Sequence, residues 1–405
     1  MLDLGHQPPS NAYRSEAQLG HPEITYPLRV FVCEQCWLMQ LPAHAAAEEL
    51  FTPDYAYFSS TSHSWCAHAE RFVAAAVERL DLGPDRVVVE LASNDGYLLQ
   101  YVQQRRIPCL GIEPTAATAA AARARGIETI ERFFGAALAE ELRGGSGVAA
   151  GGADLVVANN VLAHVPDIND FLAGIARLLR PAGRVAIEVP HLLRLLEEGQ
   201  FDTIYHEHYS YLSLRVIQRI AVRAGLMVCD VEPLPTHGGS LRVWMALAGR
   251  AAVEPTVAAM LQQEAMARGG LGLECLGAYQ ALQPRAEAVK NALLTNLLQA
   301  RSAGRRILGY GAAAKGNTLL NFAGVRADLL AAVADRAESK QGLFLPGSHI
   351  PVITPEALEE AHPDSVLVLP WNLMDEVRQQ LWGSESRRDG QPSLLRAIPE
   401  WQELR

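Results

Sequence analysis

Short apolar runs alternate with alanine-rich segments along two stretches of this chain. In the first stretch the apolar runs, each expected to form a buried strand, are residues 86–91, 109–113, 154–158 and 183–189, with 226–231 and 240–248 further on. In the second stretch they are residues 306–311, 329–333 and 365–369. Strands that alternate with helices are typical of a parallel sheet covered by helices on both faces. The pattern therefore predicts an α/β fold with two Rossmann-like domains.

The remaining segments have a different character. Prolines make the first 60 residues loop-like, with two short strands around the pair Cys33 and Cys36. Residues 251–300 are rich in Ala, Leu, Gln and Glu, which predicts connecting helices. We therefore divide the chain into a small N-terminal module, a central domain, a helical connector and a C-terminal domain, at residues 1–60, 61–250, 251–300 and 301–405.

Composition narrows the class of protein. With 49% hydrophobic and 20% charged residues, the 405-residue chain has the balance of a compact globular protein. Its net charge of -10, without a dense Lys/Arg run, argues against a nucleic-acid partner. There is no membrane-length apolar run or secretory signal, and the six cysteines are scattered. We expect a cytoplasmic protein, monomeric or a small homo-oligomer, that binds no membrane.

The turn after the first strand of the central domain has features of a nucleotide-binding turn. Ala92, Asn94 and Gly96 follow the apolar run and precede a helical segment. Small residues let the backbone approach a ligand, and a helix N-terminus offers unpaired N–H groups. Ala92 stands where a dinucleotide fingerprint has its first glycine, so the match to that fingerprint is incomplete.

Acidic side chains surround this first turn. Glu90 and Asp95 lie at its ends, and the next strand ends at Glu113 and Pro114. A carboxylate at that strand end can accept both hydroxyls of a ribose. The negative charge would repel a pyrophosphate but suits a cationic or zwitterionic ligand, which favours S-adenosylmethionine over NAD.

Polar groups also follow the strand at residues 154–158. Asn159, Asn160 and His164 come directly after it, so we expect them at the edge of the same cleft. His164 by itself fits a structural histidine equally well.

Residues 202–209 concentrate more reactive groups than any other segment. Tyr205, Glu207 and His208 supply a phenol, a carboxylate and an imidazole that could move a proton to or from a substrate. His208 is the leading candidate for a base, while Glu207 could orient its imidazole or act as the base itself. We expect His206 at the surface.

A second turn lies at the start of the C-terminal domain. Gly309 to Lys315 run from a strand through small residues into a helix, with Asn317 one turn further on. A lysine and free N–H groups make a plausible diphosphate site. The next strand leads to Asp335, placed like a ribose-binding carboxylate. Two turns of opposite charge suit two different ligands, a sulfonium and a nucleotide diphosphate.

Taken together, these motifs resemble the S-adenosylmethionine-dependent C-methyltransferases that act on nucleotide-activated keto-deoxysugars. The resemblance runs from about residue 4 to the C-terminus and is carried by residues 90–96, 111–114, 158–166, 205–208, 237–242, 309–315 and 370–372. It implies an N-terminal zinc module, a central methyltransferase domain, and a C-terminal Rossmann-like domain that helps to hold a nucleotide sugar. It also implies methylation next to the ketone, at C3 of a 4-keto sugar.

The resemblance assigns roles to individual residues. It makes Tyr205 and His208 the functional pair, with the phenol bonded to the keto or enolate oxygen. It also implies a set of substrate contacts, namely Tyr57, Ser59, His237, Gly238, Gly239, Lys315, Asn317, Asp335 and Asn372. The two glycines would permit close backbone approach to a ligand.

The zinc module departs from the family pattern. That pattern has two Cys-x-x-Cys pairs, whereas this chain has Cys33 and Cys36 alone. Two thiolates are half of a tetrahedral set, which argues against zinc here. We expect either that the reading frame starts late or that this member has lost the site.

Two other classes of function compete with methyl transfer. One is an NAD(P)-dependent oxidoreductase or epimerase of nucleotide sugars, although neither turn has the full glycine spacing. The other is a ligand-binding regulator without catalysis, against which the intact Tyr205, Glu207 and His208 argue. The sequence leaves open the nucleotide, whether dTDP, GDP or CDP, and the stereochemistry.

Overall fold

The computed structural model describes residues 2–51, 58–383 and 391–404. The strands are β1 (Leu2–Gln7), β2 (Tyr26–Val32), β3 (Met39–Gln40), β4 (Val88–Leu91), β5 (Cys109–Ile112), β6 (Thr129–Ile130), β7 (Ala153–Asn159), β8 (Leu179–Pro190), β9 (Ser210–Tyr211), β10 (Leu226–Leu234), β11 (Ser240–Leu247), β12 (Ile307–Tyr310), β13 (Val333–Ala334), β14 (Val352–Ile353), β15 (Ser365–Val368), β16 (Ser393–Arg396) and β17 (Gln402–Leu404). The helices are α1 (Ala47–Leu50), α2 (His63–Leu80), α3 (Leu99–Gln104), α4 (Ala116–Ala124), α5 (Ala136–Gly144), α6 (Ile168–Leu178), α7 (Leu192–Glu198), α8 (Leu214–Arg223), α9 (Pro255–Gly270), α10 (Gly277–Gln280), α11 (Leu282–Ser302), α12 (Ala314–Ala323), α13 (Pro355–Glu360) and α14 (Met374–Trp382).

Seven of the described strands form the central sheet, in the order β6-β5-β4-β7-β8-β11-β10. The first five pair in parallel, and β11 and β10 continue the sheet antiparallel. β4 and β7 are buried along their whole length, as their continuous apolar runs require. The chain leaves β4 towards β5 on one side and reaches β7 on the other, and ligands of such sheets bind at this switch point. The segments after Leu91 and Asn159 both begin there.

A second α/β sheet follows the helices of the connector. In the described residues its order is β14-β13-β12-β15-β16-β17, with every pair parallel except the last. The run at 329–333 yields a strand only at Val333–Ala334, because Leu329 and Leu330 close a turn onto the carbonyl of Arg326. The prediction of two Rossmann-like sheets is confirmed, and this strand was placed too early.

The N-terminal residues are more regular than their prolines suggest. β1 and β2 pair antiparallel, β3 follows, and β9 completes this four-stranded sheet from the central segment. The loop-like interpretation of this segment was therefore wrong for β1. The pairs Met39–Tyr211 and Gln40–Ser210 join the module to the chain directly after His208.

One apolar core joins the N-terminal module to the C-terminal domain. It contains Leu2 and Leu28 from the module, Leu293 from α11 and Leu319 from α12, all fully or nearly fully buried. Burial of this kind contributes about 1.5–3 kcal/mol for each large apolar side chain. In the described part of the chain, every helix is too short or too polar to span a bilayer.

Candidate active site

Tyr205 and His208 form a hydrogen-bonded pair in the segment between α7 and β9. The Tyr205 hydroxyl lies 2.8 Å from His208 Nε2, and His208 Nδ1 lies 2.9 Å from the Thr203 carbonyl oxygen. A carbonyl only accepts, so Nδ1 carries the proton and Nε2 has the lone pair. The tautomer inferred from these partners thus directs the basic nitrogen of His208 at the phenol.

The surroundings keep this imidazole neutral. His208 is buried, and the ring of His164 lies 4.5 Å away, centroid to centroid. Burial, followed by repulsion from His164, lowers the pKa of His208 well below its usual value. Burial also lowers the pKa of His164 to about 4. At neutral pH, the His208 imidazole is therefore unprotonated at Nε2, and this nitrogen is available to accept a proton.

His164 belongs to this pair in space. Its Nδ1 lies 2.8 Å from the Glu207 backbone carbonyl, and its ring also meets Phe51 at 5.7 Å. Its described contacts are therefore with the segment 203–208, whereas the sequence predicted a place beside the cofactor.

The Glu207 carboxylate faces the N-terminal module. Its Oε1 accepts from the backbone and side-chain nitrogens of Asn11, at 3.3 and 3.2 Å. Burial raises the pKa of Glu207, and the hydrogen bonds from Asn11 oppose that rise. The expectation that Glu207 orients the His208 imidazole is wrong, because the Thr203 carbonyl does so.

His206 is also misplaced by the sequence prediction. It is 4% exposed, and its ring packs edge-on against Tyr26 at 5.8 Å. Burial lowers the pKa of His206 to about 4, so it sits neutral in the joint between the module and the central segment. It is not a surface residue.

The first turn has the backbone geometry of a ligand-binding loop. Ala92, Asn94 and Gly96 all have positive φ, at 53°, 50° and 78°. A Cβ on Gly96 would come within 2.4 Å of Ile127, so no other residue fits there without a shift. The Asn94 amide donates to Glu113 Oε2 at 2.9 Å, which ties the turn to the end of β5.

The charge at this turn fits a positively charged ligand. Both oxygens of Glu90 and Oδ1 of Asp95 are buried without a well-formed hydrogen bond to the described residues. Burial raises the pKa of Glu90 well above its usual value, against the effect of the nearby Tyr97 hydroxyl. A cationic ligand would satisfy these oxygens and would stabilise the charged form of Glu90. S-adenosylmethionine carries such a positive charge. Glu113 and Pro114 lie at the end of the neighbouring strand, and the Asn159 Oδ1 is likewise unpaired.

The short turn at Ser59–Thr61, just before α2, covers the first turn. The Ser59 amide donates to the Asn94 side chain at 2.8 Å, and Ser60 donates to Asp95 Oδ2 from its hydroxyl. Arg125 also pairs with Asp95 at 3.4 Å. Ser59 therefore touches the first turn, whereas the sequence placed it at the sugar. Tyr57 lies outside the described residues.

The second turn is satisfied internally. The Ala312 amide donates to Asp335 Oδ2 at 2.7 Å, and the Ala337 amide donates to Oδ1 at 2.8 Å. Lys340 lies 3.7 Å from the same carboxylate, and both Lys340 and Tyr13 donate to the Ala312 carbonyl. Asp335 was expected to bind a ribose, yet its oxygens hold the protein's own turn.

Lys315 lies between the central and C-terminal domains. Its Nζ donates to Asn372 Oδ1 at 3.0 Å and lies 3.5 Å from the His237 carbonyl. Burial lowers its pKa, and Asp202 opposes that change. The structure thus brings Lys315, Asn372 and His237 together, as a common ligand requires. Asn317 instead donates to the Ser10 carbonyl at 2.6 Å and is 1% exposed.

The motif at residues 237–239 contacts the central domain through Asn160 and the C-terminal domain through Trp371. His237 has a φ of 55°, and its Nε2 lies 3.1 Å from the Asn160 side-chain nitrogen. A Cβ on Gly238 would meet Trp371 at 2.4 Å, and one on Gly239 would meet Arg194 at 2.6 Å. The glycines therefore permit contact between protein segments, where the sequence predicted contact with a ligand.

Two buried carboxylates beside the cleft were missed by the sequence analysis. Glu188, fully buried near the end of β8, contacts His68, Thr236 and Arg242. Asp202 accepts from the Trp371 indole at 2.7 Å, and burial raises its pKa to about 6. A carboxylate inside an apolar strand run was a usable signal for Glu188.

The cysteine pair lacks partners for a metal. Cys33 and Cys36 are free thiols of intermediate exposure. Among residues 2–51, 58–383 and 391–404, no three His, Cys, Asp or Glu side chains are grouped to hold an ion. Two thiolates among the described residues do not fit a four-coordinate zinc.

Three segments of the chain match known protein families. Residues 65–231 match a methyltransferase domain, and residues 235–399 match a C-methyltransferase C-terminal domain. Residues 1–51 match a domain of presumed zinc binding. The sheet order, the acidic first turn and these matches define a methyltransferase that uses S-adenosylmethionine.

A relative identifies the family within that class. C-methyltransferase NovU of Streptomyces niveus is 36% identical over 356 residues, which cover 88% of this chain and 83% of NovU. The chain therefore belongs to the S-adenosylmethionine-dependent C-methyltransferase family. This replaces the oxidoreductase alternative.

Solved structures of methyltransferases are more distant. The magnesium protoporphyrin IX methyltransferase of Synechocystis PCC 6803 with bound SAM is 14% identical, with a TM-score of 0.33 over 44% of this chain and 79% of that one. A Clostridium acetobutylicum S-adenosylmethionine-dependent methyltransferase is 10% identical, with a TM-score of 0.35 over 44% and 91%. The family assignment does not depend on these structures.

Proposed function

We propose that this enzyme methylates the carbon next to the ketone of a nucleotide-activated keto-deoxysugar, at C3 of a 4-keto sugar. The observation that supports it best is the Tyr205–His208 pair, in which a neutral imidazole presents its lone pair 2.8 Å from a phenol. Carbon methylation next to a ketone requires such a base together with a donor for the enolate oxygen. The alternatives of simple O- or N-methylation require no C–H base.

In the proposed reaction, a proton leaves C3 and a methyl group takes its place. When the substrate binds, its keto oxygen takes over the Tyr205 hydroxyl, which frees His208 Nε2. Nε2 removes the proton from C3, and the C–H electrons form the enolate, whose charge rests on the oxygen held by Tyr205. The enolate carbon then takes the methyl group as the C–S bond of the sulfonium breaks and its electrons return to sulfur. The proton on His208 leaves to solvent.

The sulfonium supplies an activated methyl group, and the first turn would hold it. In this proposal the cofactor-side residues are Glu90, Ala92, Asn94, Asp95, Gly96, Glu113, Pro114, Asn159 and Asn160. Two observations support the assignment: the buried oxygens of Glu90, Asp95 and Asn159 that lack a well-formed hydrogen bond to the described residues, and the left-handed backbone of Ala92 and Gly96. His164 joins the catalytic pair instead, because its ring contacts His208.

The nucleotide sugar would lie against the C-terminal domain. Lys315 and Asn372 face the cleft beside His237, and these three support an anionic, hydroxyl-rich ligand. Asn317 and Asp335 contribute through the protein backbone they hold, since their polar groups are engaged internally. The nucleotide base stays unassigned in the proposal.

The test separates proton removal from methyl transfer. Purified enzyme is incubated in D₂O with S-adenosylhomocysteine and dTDP-, GDP- or CDP-4-keto-6-deoxysugars, and deuterium at C3 is followed by mass spectrometry. A second assay follows labelled methyl from S-adenosylmethionine. His208→Ala should lose both activities by about 10²–10⁴-fold.

A matched variant sharpens this test. Tyr205→Phe keeps the base and removes the oxygen donor, so we expect a loss of about 10²–10³-fold, with His208 still able to exchange deuterium slowly. His206→Gln is the control, because its ring faces Tyr26 and away from the pair. Unchanged methyl transfer in His208→Ala would refute the assignment of the base.

A further inference from the structure

Glu188 makes three contacts at the edge of the cleft. It lies beside Asn159 in the parallel pair of β7 and β8, and its backbone carbonyl accepts from the Asn160 amide at 2.7 Å. Its carboxylate accepts from the Thr236 hydroxyl at 2.7 Å and pairs with His68 Nε2 at 2.8 Å. The side chain is wholly buried, so these contacts are not exchanged with water.

All three contacts lead to His237. The Asn160 side chain lies 3.1 Å from His237 Nε2, and Thr236 is the preceding residue. His68 stacks on Trp65 at 5.0 Å, and Trp65 meets the His237 ring edge-on at 5.1 Å. Two routes from the Glu188 carboxylate, and a third from the backbone carbonyl of the same residue, therefore meet at one imidazole.

Backbone geometry shows why such support is needed. Asn160 and His237 both adopt positive φ, at 52° and 55°. This region is unfavourable for residues with a Cβ and persists only when the surroundings impose it. Neither position is a glycine, so the conformation depends on contacts such as those of Glu188.

We propose that Glu188 is a positioning residue whose carboxylate fixes His237, on the acceptor side, against Asn160, on the cofactor side, which its backbone carbonyl holds. The identity of the two ligands rests on the proposed function, whereas the contacts from Glu188 to His237 are independent of it. Glu188 touches neither ligand in this proposal and acts through Thr236 and His68.

The competing explanation is a purely structural ion pair. Arg242 Nη2 lies 3.2 Å from Glu188, and Arg242 Nη1 lies 3.0 Å from Glu232. Glu232 also accepts from the Trp244 indole at 2.6 Å. Arg242 Nη2 lies 3.2 Å from His68 Nε2 as well. Glu232→Gln therefore weakens the other pairing of the same arginine while the Glu188 carboxylate and its contacts with Thr236 and His68 stay in place.

Three variants test the proposal against this control. Glu188→Gln should raise the acceptor KM and lower kcat, reducing kcat/KM at least tenfold below that of Glu232→Gln at equal melting temperature. Thr236→Val should lower acceptor kcat/KM about threefold to tenfold, and Thr236→Ser should restore it because it keeps the hydroxyl. Equal kinetics in Glu188→Gln and Glu232→Gln, or wild-type kinetics in Thr236→Val, would overturn the proposal.

A readout without turnover keeps this test independent of the proposed function. His237 is followed by NMR in ¹³C-histidine protein, with His237→Gln to assign its signal. Burial and then Lys315 lower the pKa of His237 to about 4, while the Glu188 charge opposes this, so wild type and Glu232→Gln should show a neutral ring at pH 6. Thr236→Val keeps the Glu188 charge and should bring the titration of His237 towards the ordinary range. Glu188→Gln also removes that charge, so it is read by the position of the His237 signal at constant pH, which should move from that of wild type. An unmoved His237 signal refutes the positioning role, whereas absent methyl transfer by wild type refutes only the proposed function.

Discussion

The two turns that follow β4 and β12 use the same structural device with opposite results. In each, a carboxylate from the next strand accepts a backbone N–H of the turn, Glu113 from Asn94 at 2.9 Å and Asp335 from Ala312 at 2.7 Å. In the first turn, both oxygens of Glu90 and Oδ1 of Asp95 are buried without a well-formed hydrogen bond to the described residues, while Asp95 Oδ2 pairs with Ser60 and Arg125. It thus keeps capacity for a ligand.

At the second turn, neighbouring segments of the protein occupy the hydrogen-bonding positions that a ligand would otherwise take. Lys340 and the Ala337 amide satisfy Asp335, and Tyr13 from the N-terminal module reaches the Ala312 carbonyl. The same strand-turn-helix unit can therefore bind a ligand or dock another part of the chain. What decides between these roles is the set of segments packed against the turn.

The largest effect that tests this contrast is expected from Glu113→Gln. Glu113 accepts from the backbone amides of Asn94 and Thr115, so the substitution weakens the charged acceptor that shapes the turn as well as the proposed ribose contact. S-adenosylmethionine affinity should therefore fall about 10- to 100-fold. Isothermal calorimetry measures it, with Glu128→Gln as a control on the same strand-to-strand connection. Wild-type affinity would show that the first turn does not bind the cofactor through this carboxylate.

The corresponding change at the second turn should act on stability. Asp335→Asn replaces a charged acceptor of two backbone amides, so unfolding free energy should fall by about 1–3 kcal/mol. S-adenosylmethionine affinity should stay within about twofold of wild type, because the turn belongs to another sheet. Urea denaturation and calorimetry together measure both. A tenfold loss of affinity would contradict the division of roles.

Lys315 should affect the acceptor alone. Lys315→Met keeps most of the apolar stem and removes the ammonium that lies 4.9 Å over the Trp371 ring and beside Asn372. We expect the KM for the nucleotide sugar to rise about tenfold, as for loss of one charged contact, with the cofactor affinity unchanged. Initial-rate kinetics with each substrate varied in turn would show this. An effect on the cofactor alone would reverse the proposed placement.

The smallest effect concerns pH. Burial raises the pKa of Asp202 from 3.8 to about 6, so folding favours its protonated form. The free energy of unfolding should therefore fall as pH rises from about 4 to 6, because the unfolded chain ionises Asp202 more readily, and it should stay lower above pH 6. Asp202→Asn should be about 1–3 kcal/mol more stable than wild type at pH 8 and equal to it at pH 4, because the amide does not ionise and the attraction of Lys315 is already part of the pKa of Asp202. Equal stability curves would contradict this.

Local patterns were enough to predict the two sheets and the acidic first turn. Apolar runs located β4, β7 and β12, and charge alone predicted a cation site after Leu91. Long-range packing was out of reach. Burial of His206 and the direction of Glu207 follow from a module more than 150 residues away in sequence, which a local pattern does not encode. The saturation of Asp335 depends on how the chain after β13 folds back, because Ala337 and Lys340 supply two of its contacts.

The pairing of β3 with β9 has a consequence for recombination among relatives. Tyr211 hydrogen-bonds across to Met39 only three residues after His208. An exchange of residues 2–51 for those of another family member would replace the neighbouring strand of the segment that carries the imidazole. Chimeras made at that boundary should therefore inherit altered turnover along with the donor's N-terminal sheet, even when every cleft residue is retained.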